Sequence, residues 1–277
     1  MQKKKLTIND LFSNDYQLAS PPLLYFKLKK SIDDPDKPLQ DAALIIEKDA
    51  SLTLKLLKIV NSAFYGFPSK ITSITQAIGL IGTKELQSIV LSTIVIEKFS
   101  DFPDALMTMQ EFWERSLRCA LIAQGIDRYL NKRFSDSIFT CGILHNVGQL
   151  VLFRRLPELS REVNLSLAAQ EHRLDNNEIQ TEQNIIGFDH YQVGAALSRL
   201  WKLPEIITQS IELHSSSQES QDFYELSEII KAADHYSRQE YENIDTRFLG
   251  ISELNMNDIM EQSLEELDEI VKVFMQD

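Results

Sequence analysis

Nine Gly and eight Pro in 277 residues leave this chain few places to turn, and the stretches between them are rich in Leu, Ile, Ala, Glu and Lys. Such residues lose little on entering a helix, so long runs of them favour an all-α protein. The run SIVLSTIVI, inside residues 86–99, is apolar nearly all round. Its Ile and Val content would suit a strand, but the flanking pattern is helical. A helix apolar on every side belongs at the centre of a bundle. The length allows one large domain or two small ones, with a sizeable core.

Caps and breakers divide the rest. Pro21-Pro22 opens the first folded stretch and DDPDKP (33–38) is a turn. Residues 41–48 make a short helix, and Asp49 caps the next, with an apolar stripe of Leu52, Leu56, Leu57, Val60 and Phe64. SAFYGFP (62–68) breaks it. Ser73 and Gln76 form a capping box, Gly82 ends that helix and Thr83 caps the following one. FSDFPDAL (99–106) is the boundary between two halves.

In the second half Trp113, Leu117, Leu121 and Ile122 keep helical spacing. Ser135 and Asp136 start the helix that carries Cys141, Leu144 and His145, and Gly148 ends or bends it. A polar helix over 154–180 is broken at RLDNNE; helices follow over 189–201, from Pro204 as a first helical residue, and over 223–238. At the end, Met260, Leu264, Leu267, Val271 and Phe274 form one apolar seam, which packs on its own domain or supports a homodimer.

The net charge is −13, and the 16 acidic and 4 basic residues from Ser215 to Asp277 contribute −12 of it. A chain so acidic at one end argues against nucleic acid as the main partner, because phosphate contact needs a basic face. Cys119 and Cys141 lie in apolar helical stretches and read as reduced core thiols. Basic residues at the N-terminus lack an apolar segment behind them, and no run reaches the roughly 18 apolar residues of a membrane span. A cytoplasmic protein without a membrane partner is expected.

Five histidines limit the chemistry: His145, His172, His190, His214 and His235. A hydrolytic metal site needs three or more protein ligands and an open position for water. GILHNVGQLVL (142–152) places a His on an apolar helix and follows it with Asn146. A neutral amide neither offsets the charge of a divalent ion nor acts as a base. His145 therefore reads as a hydrogen-bonded core residue. His190 either starts a helix or binds a ligand or second metal. Glu182, Asp189, His190 and His214 are a conceivable separate cluster. Asn61, Ser62 and Tyr65, in NSAFYG, satisfy backbone at a helix end or touch a ligand.

LASPPLLYFKLKKSIDDPD, KDASLTLKLLKIVNSAFYGFPSKITSITQAIGLIG, WERSLRCALIA, FTCGILHNVGQLVL, GFDHYQVGAALSRLWKLP and ADHYSR follow one another in order. Over residues 16–240 the chain resembles the HDOD domain, the HD-related output domain of bacterial signalling proteins. The resemblance implies a helical part over 1–105 and an HD-like helical bundle over 106–240, two packed subdomains followed by an acidic helical extension over 241–277. The parent HD superfamily binds catalytic metal through a His, a His-Asp pair and a distant Asp. These positions fall on Arg115, His145, Asn146 and Asp234. Two of the four are changed, and Arg115 sets a fixed positive charge where a cation would sit. Arg115, Asn146 and Asp234 are expected to fill the old site as a polar network, with no metal or cofactor. The glycine-tyrosine-proline element of the HD subgroup that cleaves cyclic di-GMP is missing after HNVG.

The resemblance thus implies a non-catalytic signal-transduction module that binds a protein partner or small ligand. The alternative is a divergent metal-dependent phosphohydrolase acting on nucleotides. A nucleotide sensor without hydrolysis would share the fold.

Overall fold

The computed structural model describes residues 6–13, 15–62, 64–99, 107–131, 134, 137–169, 175–215, 223–238 and 249–275, and no strand occurs among them. The first part consists of α1 (Ile8–Phe12), α2 (Tyr16–Ala19), α3 (Leu23–Ile32), α4 (Leu39–Glu47), α5 (Ala50–Val60), α6 (Ile74–Ile81) and α7 (Thr83–Lys98). The second begins with α8 (Met109–Tyr129), α9 (Ile138–Leu144), α10 (Val147–Arg155) and α11 (Pro157–Ala168). It continues with α12 (Asp175–Ile185), α13 (His190–Leu200), α14 (Glu205–Glu212), α15 (Tyr224–Ser237) and α16 (Glu253–Met275).

The expected caps are largely in place. Asp49 accepts the Leu52 N–H at 3.0 Å and starts α5. Ser73 accepts the Gln76 N–H at 3.1 Å, but Gln76 returns its side chain to the N–H of Thr72, so the box closes one residue early. Gly82, at φ 84°, is the N-cap of α7, which makes Thr83 its first residue and not its cap. Pro204 is likewise the N-cap of α14: its ψ of 143° is extended, so the helix starts at Glu205. Ser135 and Asp136, and most of the boundary expected over 99–106, lie outside the described residues.

As its all-round apolarity predicts, α7 is central: Leu86, Ile89, Val90, Leu91, Val95 and Ile96 are all buried. It packs against α3, α5, α6 and α9, and so joins the two parts. The second part is organised on α8, which a Thr108–Glu111 capping box starts and which carries α9, α15 and α16 on its sides. One continuous hydrophobic core runs from Leu11 to Phe274. Cys119 and Cys141 lie buried within it, outside any disulfide. No single helix among the described residues is long and apolar enough to cross a membrane.

The acidic terminal helix belongs to this core. Met256, Ile259, Met260, Leu267, Ile270 and Phe274 of α16 are buried, against α8 and α5. The seam is rotated from the one read in the sequence: Leu264 is 44% exposed, while Ile259 and Ile270 face inward. An α16 packed this way has its apolar face engaged within the chain. Gly125 of α8 makes room for it, since a Cβ there would come within 2.7 Å of Ile259.

Two breaks differ from the sequence reading, and both shape the site. RLDNNE is not a break throughout: Asp175, Asn176, Asn177 and Glu178 form the first turn of α12. Gly148 does not end the His145 helix. The chain breaks earlier, at His145 and Asn146, and Gly148 lies in the first turn of α10. A Cβ at Gly148 would stand 1.8 Å from the carbonyl oxygen of His190. The glycine lets α10 press directly on the start of α13.

Candidate functional site

Asp234, on α15, is completely buried among cations. Arg115 of α8 donates from Nη2 to Oδ1 at 2.8 Å, and Arg238, one turn beyond Asp234, donates to Oδ2 at 3.1 Å. His145 Nε2 stands 2.9 Å from the same Oδ1, without the alignment of a hydrogen bond. Burial opposes ionisation of Asp234, but Arg115, Arg238 and His145 outweigh it and hold its carboxyl well below the usual range. His145 Nδ1 donates to the Gly142 carbonyl at 2.6 Å. That bond fixes the ring in the orientation that presents Nε2, as in metal-binding imidazoles.

The four positions that the HD resemblance singles out do not fit a divalent cation. The guanidinium of Arg115 takes the Asp234 oxygen that an ion would need, and Asn146 supplies no charge. The expected Arg115–Asp234 pair is therefore present. Asn146 takes a different place from the one expected: its Oδ1 is buried and accepts no hydrogen bond, so the carboxylate is shared by Arg115, Arg238 and His145 instead.

A second layer lies on α12 and α13. Glu182 Oε2 accepts from His190 twice, from the backbone N–H at 2.8 Å and from Nδ1 at 2.7 Å. Burial works against a charged imidazole, but Glu182, Glu178 and Asp189 prevail and lift His190 to about 9. At neutral pH the proton of this pair resides on His190. Glu178 Oε1 accepts from Gln149 Nε2 at 2.6 Å, and its Oε2 lies 3.4 Å from Arg238. Burial disfavours the Glu178 carboxylate, yet His190, Arg238 and Arg115 keep its pKa low. Arg238 thus joins the two layers.

His214 follows α14. Its Nδ1 donates to the Ser210 carbonyl at 2.7 Å, and its ring stacks on His145 (5.6 Å between centroids) and Tyr191 (4.5 Å). Burial first, and then the neighbouring His145, push its pKa well below the usual value, so the ring is neutral.

The separate cluster conceived from the sequence changes its membership. Asp189 is the N-cap of α13: it accepts from Gln192 N and from Gln183 Nε2. His214 keeps its own carbonyl bond. In their place Glu178 joins Glu182 and His190, with one ligand atom from each lying within 4.8 Å of the others. Sequence reading missed Glu178, Gln149 and Arg238. Glu178 and Arg238 are each four residues from a residue already singled out, Glu182 and Asp234, and one helical turn is the spacing at which side chains meet; Gln149 lies beyond the break at His145 and Asn146, so no such spacing marks it.

The NSAFYG residues are engaged elsewhere. Asn61 donates to the carbonyls of Leu57 and Ile71 and accepts the Ile71 N–H at 2.7 Å, tying the incoming loop to the end of α5. Ser62 Oγ donates to the Ile59 carbonyl, and Tyr65 donates its hydroxyl to Glu85 at 2.9 Å. The backbone role read from the sequence is the one Asn61 and Ser62 perform.

The chain is similar to known proteins in the same terms. An uncharacterized protein of Treponema pallidum (strain Nichols) is 28% identical over 214 residues, which are 76% of this chain; the chain spans 40% of that relative's length. Among solved structures, an HDOD domain protein of unknown function from Geobacter sulfurreducens superposes with a TM-score of 0.75 at 21% identity, covering 97% of this chain and 96% of that one. A Shewanella amazonensis SB2B protein, provisionally described as a phosphohydrolase, gives 0.73 at 19% identity, covering 95% and 97%. A Marinobacter aquaeolei VT8 protein, provisionally described as a signal transduction protein, gives 0.70 at 17%, covering 100% of this chain and 62% of that one. At these identities the likeness is one of fold. The HDOD domain family itself matches residues 18–217, and on that match the chain belongs to it.

Proposed function

We propose that this protein is a non-catalytic regulatory output module that binds a protein partner or a small ligand. One observation carries the reading: the buried Asp234 carboxylate is already paired with Arg115 and Arg238, with His145 close beside it. A metal could enter there only by displacing the guanidinium of Arg115 from Asp234 and lying against its fixed positive charge, with Arg238 close by. A ligand has room elsewhere, in a cleft of about 640 Å³ lined by Tyr25 and Lys29 of α3, Thr83 and Gln87 of α7, and Pro204 before α14. The description of a Marinobacter relative as a signal transduction protein points the same way.

A divergent phosphohydrolase is the rival reading, and the descriptions of two Shewanella structures as phosphohydrolases favour it. Turnover separates the two. The purified chain is incubated with nucleoside mono- and triphosphates and a cyclic dinucleotide in the presence of Mg²⁺, Mn²⁺ or Zn²⁺. No hydrolysis above a boiled control is expected. Hydrolysis that Asp234→Asn abolishes would overturn the proposal.

A further inference from the structure

We propose that Glu178, Glu182 and His190 form a site for one divalent first-row cation, in the range Mn²⁺ to Zn²⁺, separate from the closed centre at Arg115, His145, Asn146 and Asp234. The two carboxylates stand one turn apart on α12, and the imidazole comes from the first residue of α13. Their ligand atoms lie within 4.8 Å of one another. Ligands around an ion with bonds of ~2.1 Å are ~3.4–4.2 Å apart, so the Glu182–His190 pair, now at 2.7 Å, opens to admit the ion while Glu178 stays within reach.

Two buried atoms with no partner lie at this cluster. His190 is 1% exposed, and its Nε2 makes no hydrogen bond. Gln149 is 4% exposed; its Nε2 holds Glu178, while its Oε1 accepts nothing. Buried polar atoms are rarely left unpaired without a reason. A cation at the cluster would take the place of the Nδ1 proton between His190 and Glu182, and the Gln149 amide, turned over, would add its unpartnered oxygen as a neutral donor. Carboxylate, imidazole and amide oxygen suit Mn²⁺, Fe²⁺ or Zn²⁺ and disfavour soft ions, and the two thiols lie elsewhere in the core.

Arg238 bridges Glu178, at 3.4 Å, and Asp234, at 3.1 Å, so a cation at the cluster must displace it from Glu178 while it keeps the closer contact to Asp234. The ion would replace the positive charge that His190 now supplies to Glu182. It would also tie α12 to α13, and through Gln149 to α10, which is a structural or regulatory cross-link and not a hydrolytic centre.

The test uses the full chain, stripped with a chelator, dialysed, and titrated with ZnCl₂ and with MnCl₂ by calorimetry. Bound metal is counted by plasma mass spectrometry after desalting. About one equivalent of at least one ion is expected. Glu178→Gln should weaken binding about tenfold or more, and His145→Gln should leave it within twofold. Gln149→Met, at the edge of the cluster, supplies a second variant should Glu178→Gln lose its helical circular dichroism, and a weaker affinity is expected there too. Absence of binding to the folded wild-type chain would overturn the proposal. So would binding that disappears in His145→Gln but persists in Glu178→Gln or Gln149→Met. Neither result touches the regulatory reading, which turnover decides.

Discussion

Arg115 reaches across 119 residues of sequence to place its Nη2 2.8 Å from Oδ1 of Asp234, in a centre where Asp234 is wholly buried. An ion pair of this kind is a weak source of stability as a whole but a strong one against loss of either half. Arg115→Ala should therefore destabilise the fold by about 3–5 kcal/mol in urea unfolding. The double variant Arg115→Met, Asp234→Leu should cost much less than the sum of the single changes. Additive costs would mean that the two groups do not depend on each other.

The buried histidines set the pH response. His190 is lifted to about 9, so between an unfolded value near 6.5 and about 9 the folded chain holds a proton that the unfolded chain lacks. Its contribution is complete below ~6.5 and lost as pH rises through about 9, at most about 3 kcal/mol. His214 has the opposite sign, because its pKa is lowered: its contribution is present above ~6.5 and lost as pH falls below that. Asp234, also lowered, adds stability that is complete above ~4 and lost as pH falls further through its depressed folded value. Thermal unfolding across pH 5 to 10 should show the alkaline decline, and His190→Asn should flatten it. A decline unchanged in that variant would assign it to other groups.

Gly148 should tolerate no side chain. The Cβ of Gly148→Ala would meet the His190 carbonyl oxygen at 1.8 Å, so α10 and α13 must separate, costing about 2–3 kcal/mol. Gly79 of α6 is the control: nothing lies within 4 Å of its Cβ position, and Gly79→Ala should stabilise by about 0.5–1 kcal/mol. Chemical denaturation of both variants checks the contrast.

The closed centre should be reopened by restoring its lost donors. In the double variant Arg115→His, Asn146→Asp, the positions assigned by the HD resemblance become a His, a His-Asp pair and an Asp, a donor set suited to a divalent ion. Made in a Glu178→Gln background, so that the second cluster does not contribute, it should bind about one equivalent of Mn²⁺ or Zn²⁺. A chain that stays metal-free would show that Arg238 alone is enough to keep Asp234 closed.

Much of the architecture could be read from local signals. Asp49 and Ser73 cap the helices expected of them, and the all-round apolarity of residues 86–99 places α7 at the centre. These depend on neighbours within one turn. The Arg115–Asp234 pair was legible because the HD resemblance aligned two distant positions and complementary charge joined them. What stayed hidden depends on tertiary contact. Gly148 reads as a helix breaker until α13 is laid against it. Glu178 sits in DNNE, whose Asp and Asn residues favour turns, yet here they open a helix and carry Glu178 to Gln149 and Arg238.

The position of α16 separates two ideas of what a module is. The HDOD family match ends at residue 217, yet α16 fills the flank of α8 and sets Phe274 against Phe139, 6.2 Å between ring centroids. What can be cut out and fused to another protein is therefore longer than that match. A graft that stops at the family boundary would carry away an open hydrophobic groove, while one that continues through Met275 would travel with its own cover.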